Sequence, residues 1–289
     1  MTIWTDLANV EFKLHFVDAA GVRTRVLEAG EGEPMVLLHG TGGHIEAFAR
    51  NIPELSKHFR VICIDMLGHG YTDKPNIPYG IDVYSNHLKD VLDALDLSKV
   101  YLSGESLGGW VAAWFAAEHP EYVHSLVLNT PGNVNSKPEV MAALKASTLK
   151  AVLEANYENV KTRLEWLMYD KSQVTDELIQ SRYNIYTQPS YQEAVHNIVY
   201  LQDIEARKKF TWDASWCNKI SVPTLLCWTD HDPTSTVEEG KMLLDIIPGS
   251  ELAVIESAGH WPQWERVEEF NSVIIDYFKS GKVKFAVAK

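Results

Sequence analysis

The chain is poor in cysteine and in positive charge, and it has no long apolar run. Its 289 residues include only three cysteines, Cys63, Cys217 and Cys227, far apart and without C-x-x-C spacing. That excludes a dense disulfide framework and a cysteine-built zinc site. Reduced, buried thiols in a cytoplasmic protein are expected. Against 39 aspartates and glutamates stand 26 lysines and arginines, for a formal net charge of −13. Nucleic acids and anionic membranes select basic patches, so neither is expected as a partner. No segment approaches the roughly 20 apolar residues of a membrane span. The stretch Met1 to Asp6 shows no basic region leading into an apolar one, so no signal peptide is expected. Internal repeats and low-complexity tracts are missing too. His15, His58, His87, His119, His124 and His196 show no metal-ligand pattern, so no metal site is expected.

What is present is an alternation of short apolar runs with helix-like segments. Residues from about 11 to 29 alternate as two strands. Val36–Leu38, Arg60–Asp65, Val100–Ser103 and Ser125–Asn129 follow as buried strands, most of them separated by helical stretches. This order implies a mostly parallel α/β sheet with right-handed crossovers. After Asn133 the pattern changes. From Pro138 to about Ala206 the chain reads as helix, with Leu144, Leu149, Leu153, Val160, Leu164 and Leu167 marking apolar faces. Strand signals resume near Ile220. The expected organisation is a core from 1–133 and 212–289, interrupted by a helical cap over 134–211. A cap would exclude water from the sheet edge; the plainer alternative is a helical addition with no part in the site. The basic run Lys279 to Lys284 reads as a solvated end.

One pentapeptide carries the chemistry. Gly104-Glu105-Ser106-Leu107-Gly108 follows the apolar strand at Val100–Ser103 and precedes the helix-like run Gly109–Ala117. Strand, G-x-S-x-G and helix in that order form a nucleophile elbow, where glycines leave room for a tight turn and the helix start favours negative charge. An acid and then a histidine should follow. Val222–Trp228 reads as a strand running into Asp230-His231-Asp232-Pro233, and Glu251–Ile255 as a strand running into Gly259-His260. The candidates are Ser106 as nucleophile, His260 as general base and acid, and Asp232 as its orienting carboxylate. Asp230, two residues from Asp232, is the rival acid. Upstream, Pro34–Leu38 runs into His39-Gly40-Thr41-Gly42-Gly43. An oxyanion hole would take the N–H of Leu107 and that of Thr41, with Gly42 as the alternative. Gly40, Glu105 and His44 flank the same place as candidate substrate contacts. Asp65 and His69 read as structural loop residues.

These features resemble the α/β-hydrolase fold superfamily over nearly the whole chain. The resemblance implies a mostly parallel eight-stranded sheet flanked by helices, with the cap inserted after the sixth strand. Gly259-His260-Trp261-Pro262-Gln263-Trp264-Glu265, continuing as Glu268-Glu269-Phe270-Asn271, resembles the corresponding segment of the meta-cleavage product hydrolases. So does the cap stretch Met168–Lys171 with Thr175–Arg182. Those enzymes cut a carbon–carbon bond in 2-hydroxy-6-oxo-hexa-2,4-dienoates, and the resemblance implies that no metal or organic cofactor is needed. By resemblance, Arg182 binds the substrate carboxylate, Trp261 lines the pocket, Trp264 belongs to the core, and the protein forms a homodimer. Three departures stand out: Glu105 replaces the family's asparagine, the loop after Gly40 is shorter and lacks a proline, and Thr229 replaces a glycine. An ionised Glu105 would repel a dienoate. That leaves two alternatives open: an esterase or lactonase using the same triad, and a non-catalytic binding protein on the same fold.

Overall fold

The computed structural model describes residues 3–134 and 137–283. Asn135 and Ser136, inside the expected cap, and the end of the basic run at Lys284 lie outside the described residues, as does the start of the chain at Met1 and Thr2. Eight strands are present: β1 (Phe12–Ala19), β2 (Val22–Ala29), β3 (Pro34–Leu38), β4 (Arg60–Ile64), β5 (Val100–Glu105), β6 (Val123–Asn129), β7 (Thr224–Thr229) and β8 (Glu251–Ile255). They form one sheet in the order β1-β2-β4-β3-β5-β6-β7-β8. The first two are joined by a tight hairpin in which Ala20 and Gly21 both have positive φ, as a type I′ turn requires. β2 meets β4 antiparallel, and every later pairing is parallel. The eight-stranded, mostly parallel α/β sheet expected from the sequence is therefore what forms.

Side-chain alternation divides each central strand between two cores. Met35 and Leu37 join an apolar cluster with Phe270, Ile274 and Phe278 of the helix Val267–Ser280. Val36 and Leu38 point to the opposite face and pack with the helices Ile81–Ala94 and Leu107–Glu118. The second of these is apolar all round and buried over most of its length, as expected of a helix enclosed on every side.

Between β6 and β7 the chain builds the helices Pro138–Leu153, Tyr157–Leu167, Asp176–Tyr186, Pro189–Ile198 and Ile204–Arg207. Pro138 and Pro189 occupy first-turn positions, where the missing N–H costs nothing. Asn156 and Thr175 cap the starts of their helices through side-chain oxygens. Val160, Leu164, Leu178, Ile185 and Val195 join the same apolar cluster as the helix Leu107–Glu118. Each such fully buried aliphatic side chain stabilises the junction by about 1.5–3 kcal/mol. Among the described residues no helix is long and apolar enough to cross a membrane. The three cysteines are free and buried.

The tightest packing lies at the elbow. A Cβ on Gly104 would meet the carbonyl oxygen of Gly108 at 2.1 Å, and one on Gly108 would meet that of Leu38 at 2.4 Å. Backbone cannot yield as a flexible side chain would. Gly104→Ala is expected to lower the free energy of unfolding by about 1–3 kcal/mol through overpacking. A urea midpoint equal to that of the unaltered protein would contradict this packing.

Candidate active site

Ser106 stands where β5 gives way to the helix Leu107–Glu118, with φ 53° and ψ −116°. A non-glycine residue held there is strained, and the surroundings must impose it. Three backbone hydrogen bonds do so. Ser106 donates to Asn129 O at 3.0 Å, and its own carbonyl accepts from Trp110 at 3.1 Å and Gly132 at 2.8 Å. Leu107 opens the helix, so its N–H belongs to the first turn, whose donors have no partner within the helix. Gly40, Thr41, Ser106, Leu107, Trp261 and His260 line one cavity.

His260 is held on its backbone and its ring. Its N–H donates to Leu167 O at 2.7 Å, and its carbonyl accepts from the Thr130 hydroxyl at 3.1 Å. Ring Nδ1 lies 2.8 Å from Asp232 Oδ2. The other oxygen, Oδ1, accepts from both the N–H and the hydroxyl of Thr234, each at 2.7 Å. Asp232 is thus oriented before it orients the imidazole. Asp230 instead takes the Ala258 N–H at 3.3 Å. Burial works to lower the His260 pKa, but the charge and hydrogen bond of Asp232, together with the charge of Glu105, outweigh it and raise the value above the usual range.

Glu105 lies at the heart of the site. It is 1% exposed. One carboxyl oxygen accepts from Gly40 N–H at 2.6 Å. The other is 3.3 Å from His260 Nε2, an ion-pair distance without hydrogen-bond geometry. Asp232 and Glu105 therefore flank the imidazole on opposite nitrogens. Burial pushes the Glu105 carboxyl up, against the lowering influence of His260, the Gly40 N–H and Arg182.

The loop after β3 is fixed from behind. Met66 N–H donates to His39 Nε2 at 3.1 Å, so the ring proton is on Nδ1 and is donated to Gly40 O at 2.8 Å. Burial and the neighbouring His69 hold His39 well below the usual histidine range. Asp65 accepts from the N–H groups of Ile45 at 2.8 Å and Tyr71 at 2.9 Å, which gives it the structural place read from the sequence. Gly42 and His44 are not among the residues lining the cavity. The Gly42 carbonyl accepts from the Tyr186 hydroxyl at 3.0 Å, and His44 Nδ1 lies 2.7 Å from Glu46.

Arg182 is fully buried, and all three of its guanidinium nitrogens are without hydrogen-bond partners among the described residues. It stacks 4.8 Å from the Trp261 ring. Trp264 is a core residue whose indole donates to Gln173 O at 2.9 Å. Three features escaped the reading of the sequence. Glu265 bridges Gly259 N–H at 2.7 Å and Asp170 N–H at 2.8 Å, tying the histidine loop to the helical layer. Thr229, where the family carries glycine, donates its hydroxyl to Gly259 O at 2.7 Å. Arg163, from the helix Tyr157–Leu167, lines the cavity.

A strained serine and a carboxylate-bound imidazole lining one cavity at the strand ends fit a hydrolase of the α/β type. The family model for the alpha/beta hydrolase fold matches residues 33–267. A 2-hydroxy-6-oxo-6-(2'-aminophenyl)hexa-2,4-dienoic acid hydrolase of Metapseudomonas resinovorans is 33% identical, over 91% of this chain and 89% of its own. A 2-hydroxy-6-oxo-2,4-heptadienoate hydrolase of Pseudomonas putida is 33% identical, over 94% of this chain and 98% of its own. A solved meta-cleavage product hydrolase from Pseudomonas fluorescens IP01, complexed with acetates, superposes with a TM-score of 0.81 at 30% identity, covering 92% of this chain and 98% of that one. The chain belongs to the α/β-hydrolase fold family and, within it, to the meta-cleavage product hydrolases.

Neutral imidazole is the form that accepts a proton, so hydrolysis should fall as pH drops through the raised His260 value. The charge of Glu105 is one cause of that rise. Glu105→Gln is therefore expected to move the acid limb of kcat/KM to lower pH. A limb that stays in place, or moves upward, would show that Glu105 does not act on the imidazole.

Proposed function

We propose that this enzyme adds water across the C5–C6 bond of a 2-hydroxy-6-oxo-hexa-2,4-dienoate. The observation that carries the reading is Arg182. A guanidinium buried without an anion costs several kcal/mol. A substrate carboxylate offsets that cost, whereas a neutral ester does not. Trp261, against which Arg182 stacks, lines the same cavity as Ser106. Glu105 opposes this reading less than its charge suggests. Its oxygens face Gly40 and His260, and burial favours its neutral form.

In the proposed sequence the C2 enol proton is lost and C5 gains one, giving the 2,6-diketo tautomer. Ser106 Oγ then adds to C6 as His260 takes its proton, and the N–H groups of Leu107 and Thr41 hold the oxyanion. The C5–C6 bond breaks with its electron pair passing into the C2 carbonyl, which makes carbon a tolerable leaving group, and the enolate oxygen so formed takes the proton back from His260. The product is 2-hydroxypenta-2,4-dienoate, and the acyl group remains on Ser106. Water, deprotonated by His260, releases a carboxylic acid. The helices over 138–207 would exclude other water from the cavity during these steps. The same reading places the enzyme in the cytoplasm, which three free, buried thiols support.

Incubation with 2-hydroxy-6-oxo-6-phenylhexa-2,4-dienoate, followed by loss of its visible absorbance, tests the proposal, with p-nitrophenyl acetate as the ester comparison. Turnover of the dienoate is expected, and hydrolysis of the ester alone would exclude it. Ser106→Ala should cut dienoate turnover by about 10⁴-fold or more; near-normal rates would reassign the nucleophile. Arg182→Met should raise KM for the dienoate by about 30-fold or more, far beyond its effect on the ester. Equal effects on both substrates would remove Arg182 from carboxylate binding.

A further inference from the structure

Arg163 is a buried cation that lines the cavity itself. It shares a face of the helix Tyr157–Leu167 with Val160, Leu164 and Leu167, where an aliphatic residue would satisfy packing. It is 2% exposed. Its Nη1 donates to the Ser147 hydroxyl at 3.3 Å, the Tyr186 hydroxyl lies against the group, and Nε has no partner among the described residues. These contacts are neutral oxygens. Arg182 stands beside the same tyrosine, 5.9 Å from its ring centre, and its positive charge works against that of Arg163. Glu105 is the one carboxyl among the residues lining the cavity, and it is already engaged by Gly40 and His260.

Arg163 thus lines the cavity, Arg182 stacks on its wall residue Trp261, and neither has a salt bridge among the described residues. Burying them so costs several kcal/mol, and a monoanionic substrate offsets one of the two. We infer that Arg163 forms a second anion subsite, so that the substrate is a dianion whose scissile carbonyl carries an alkyl chain ending in a carboxylate. The rest of the wall suits the chain: Met141, Leu144, Ile198 and Leu201 supply aliphatic surface beside Arg163. This inference rests on the C–C hydrolase reading and narrows it. The reaction balances as before. Water enters, the C5–C6 bond breaks, the dienoate half leaves as 2-hydroxypenta-2,4-dienoate, and the acyl half leaves as a dicarboxylic acid.

The test compares 2-hydroxy-6-oxonona-2,4-dienedioate with 2-hydroxy-6-oxohepta-2,4-dienoate, using the unaltered enzyme, Arg163→Met and Arg163→Lys. The unaltered enzyme is expected to favour the dianion by about tenfold or more in kcat/KM, and Arg163→Met to lose about 30-fold or more on the dianion, mainly through KM. Its loss on the monoanion should be much smaller. Arg163→Lys keeps the charge without the fork and should recover part of the loss. No preference in the unaltered enzyme, or equal losses on both substrates, would overturn the subsite. Calorimetric titration with succinate and with butyrate provides an arm that needs no turnover. Succinate should bind the unaltered protein about tenfold more tightly, and Arg163→Met should abolish the difference. If neither dienoate turns over, the C–C reading falls and the titration alone decides the subsite: the succinate preference upholds it, and its absence overturns it. Arg163→Met should melt no lower than the unaltered protein, because it removes an unpaired buried charge.

Discussion

The hold on His260 is the constraint from which the rest of the site follows. Its ring is fixed by Asp232, and its backbone by Leu167 O at 2.7 Å. The second contact reaches across from the helical layer, so the imidazole and the roof of the cavity share one anchor. Glycine at 259 is what lets the two meet, since a Cβ there would lie 2.5 Å from the Leu167 carbonyl oxygen. Glu265 and Thr229 then fasten Gly259 from two further directions. A shift of the helices Tyr157–Leu167 and Asp176–Tyr186 would therefore be felt at His260, and the same helices carry Arg163 and Arg182. Base, roof and cationic groups form one mechanical unit.

The loop beneath Gly40 shows how differently charge is treated where it serves only structure. Arg25 pairs with Glu46 at 2.7 Å and Asp65 at 3.3 Å, and Glu46 also meets His44 at 2.7 Å. Burial pushes the Glu46 carboxyl up, but His44 and Arg25 outweigh it and hold it below the usual range. Every charge in that network faces an opposite one. The result is a support for the strand ends that frame the loop after Gly40, with each charge already matched within the protein.

Strand runs, the elbow and the order of serine, acid and histidine were legible because each is written in a few neighbouring residues. The alternation of Met35 to Leu38 and the glycines at 104 and 108 encode their own geometry. What escaped was written across distance. Glu265 finds Asp170, and Leu167 finds His260, only after the helical layer folds back on the sheet. The contact between the Tyr186 hydroxyl and the Gly42 carbonyl likewise had no local signal. Arg163 and Arg182, however, carried a readable signal. Each occupies the centre of an apolar helical face: Arg163 between Val160 and Leu167, Arg182 between Leu178 and Ile185. A cation at such a position cannot reach water, so it must find an anion or await one. For Arg182 the family resemblance drew attention to it; for Arg163 the helical period alone would have sufficed.

The contrast between the two charged regions bears on specificity. A closed network such as that around Arg25 is finished when the chain has folded. The region of the cavity is not: Asp232 is satisfied by Thr234 and His260 and Glu105 is engaged by Gly40 and His260, while Arg163 and Arg182 form no salt bridge among the described residues. Folding energy from the surrounding apolar core must carry that cost in the free protein. A ligand that supplies negative charge relieves it, and a neutral ligand of the same shape leaves it in place. Discrimination of this kind is strong because it penalises the wrong ligand as well as rewarding the right one. It also explains how Glu105 can stand where the family has asparagine. Its oxygens are taken up by the Gly40 N–H and the His260 imidazole, and burial pushes the carboxyl up against the lowering influence of Arg182.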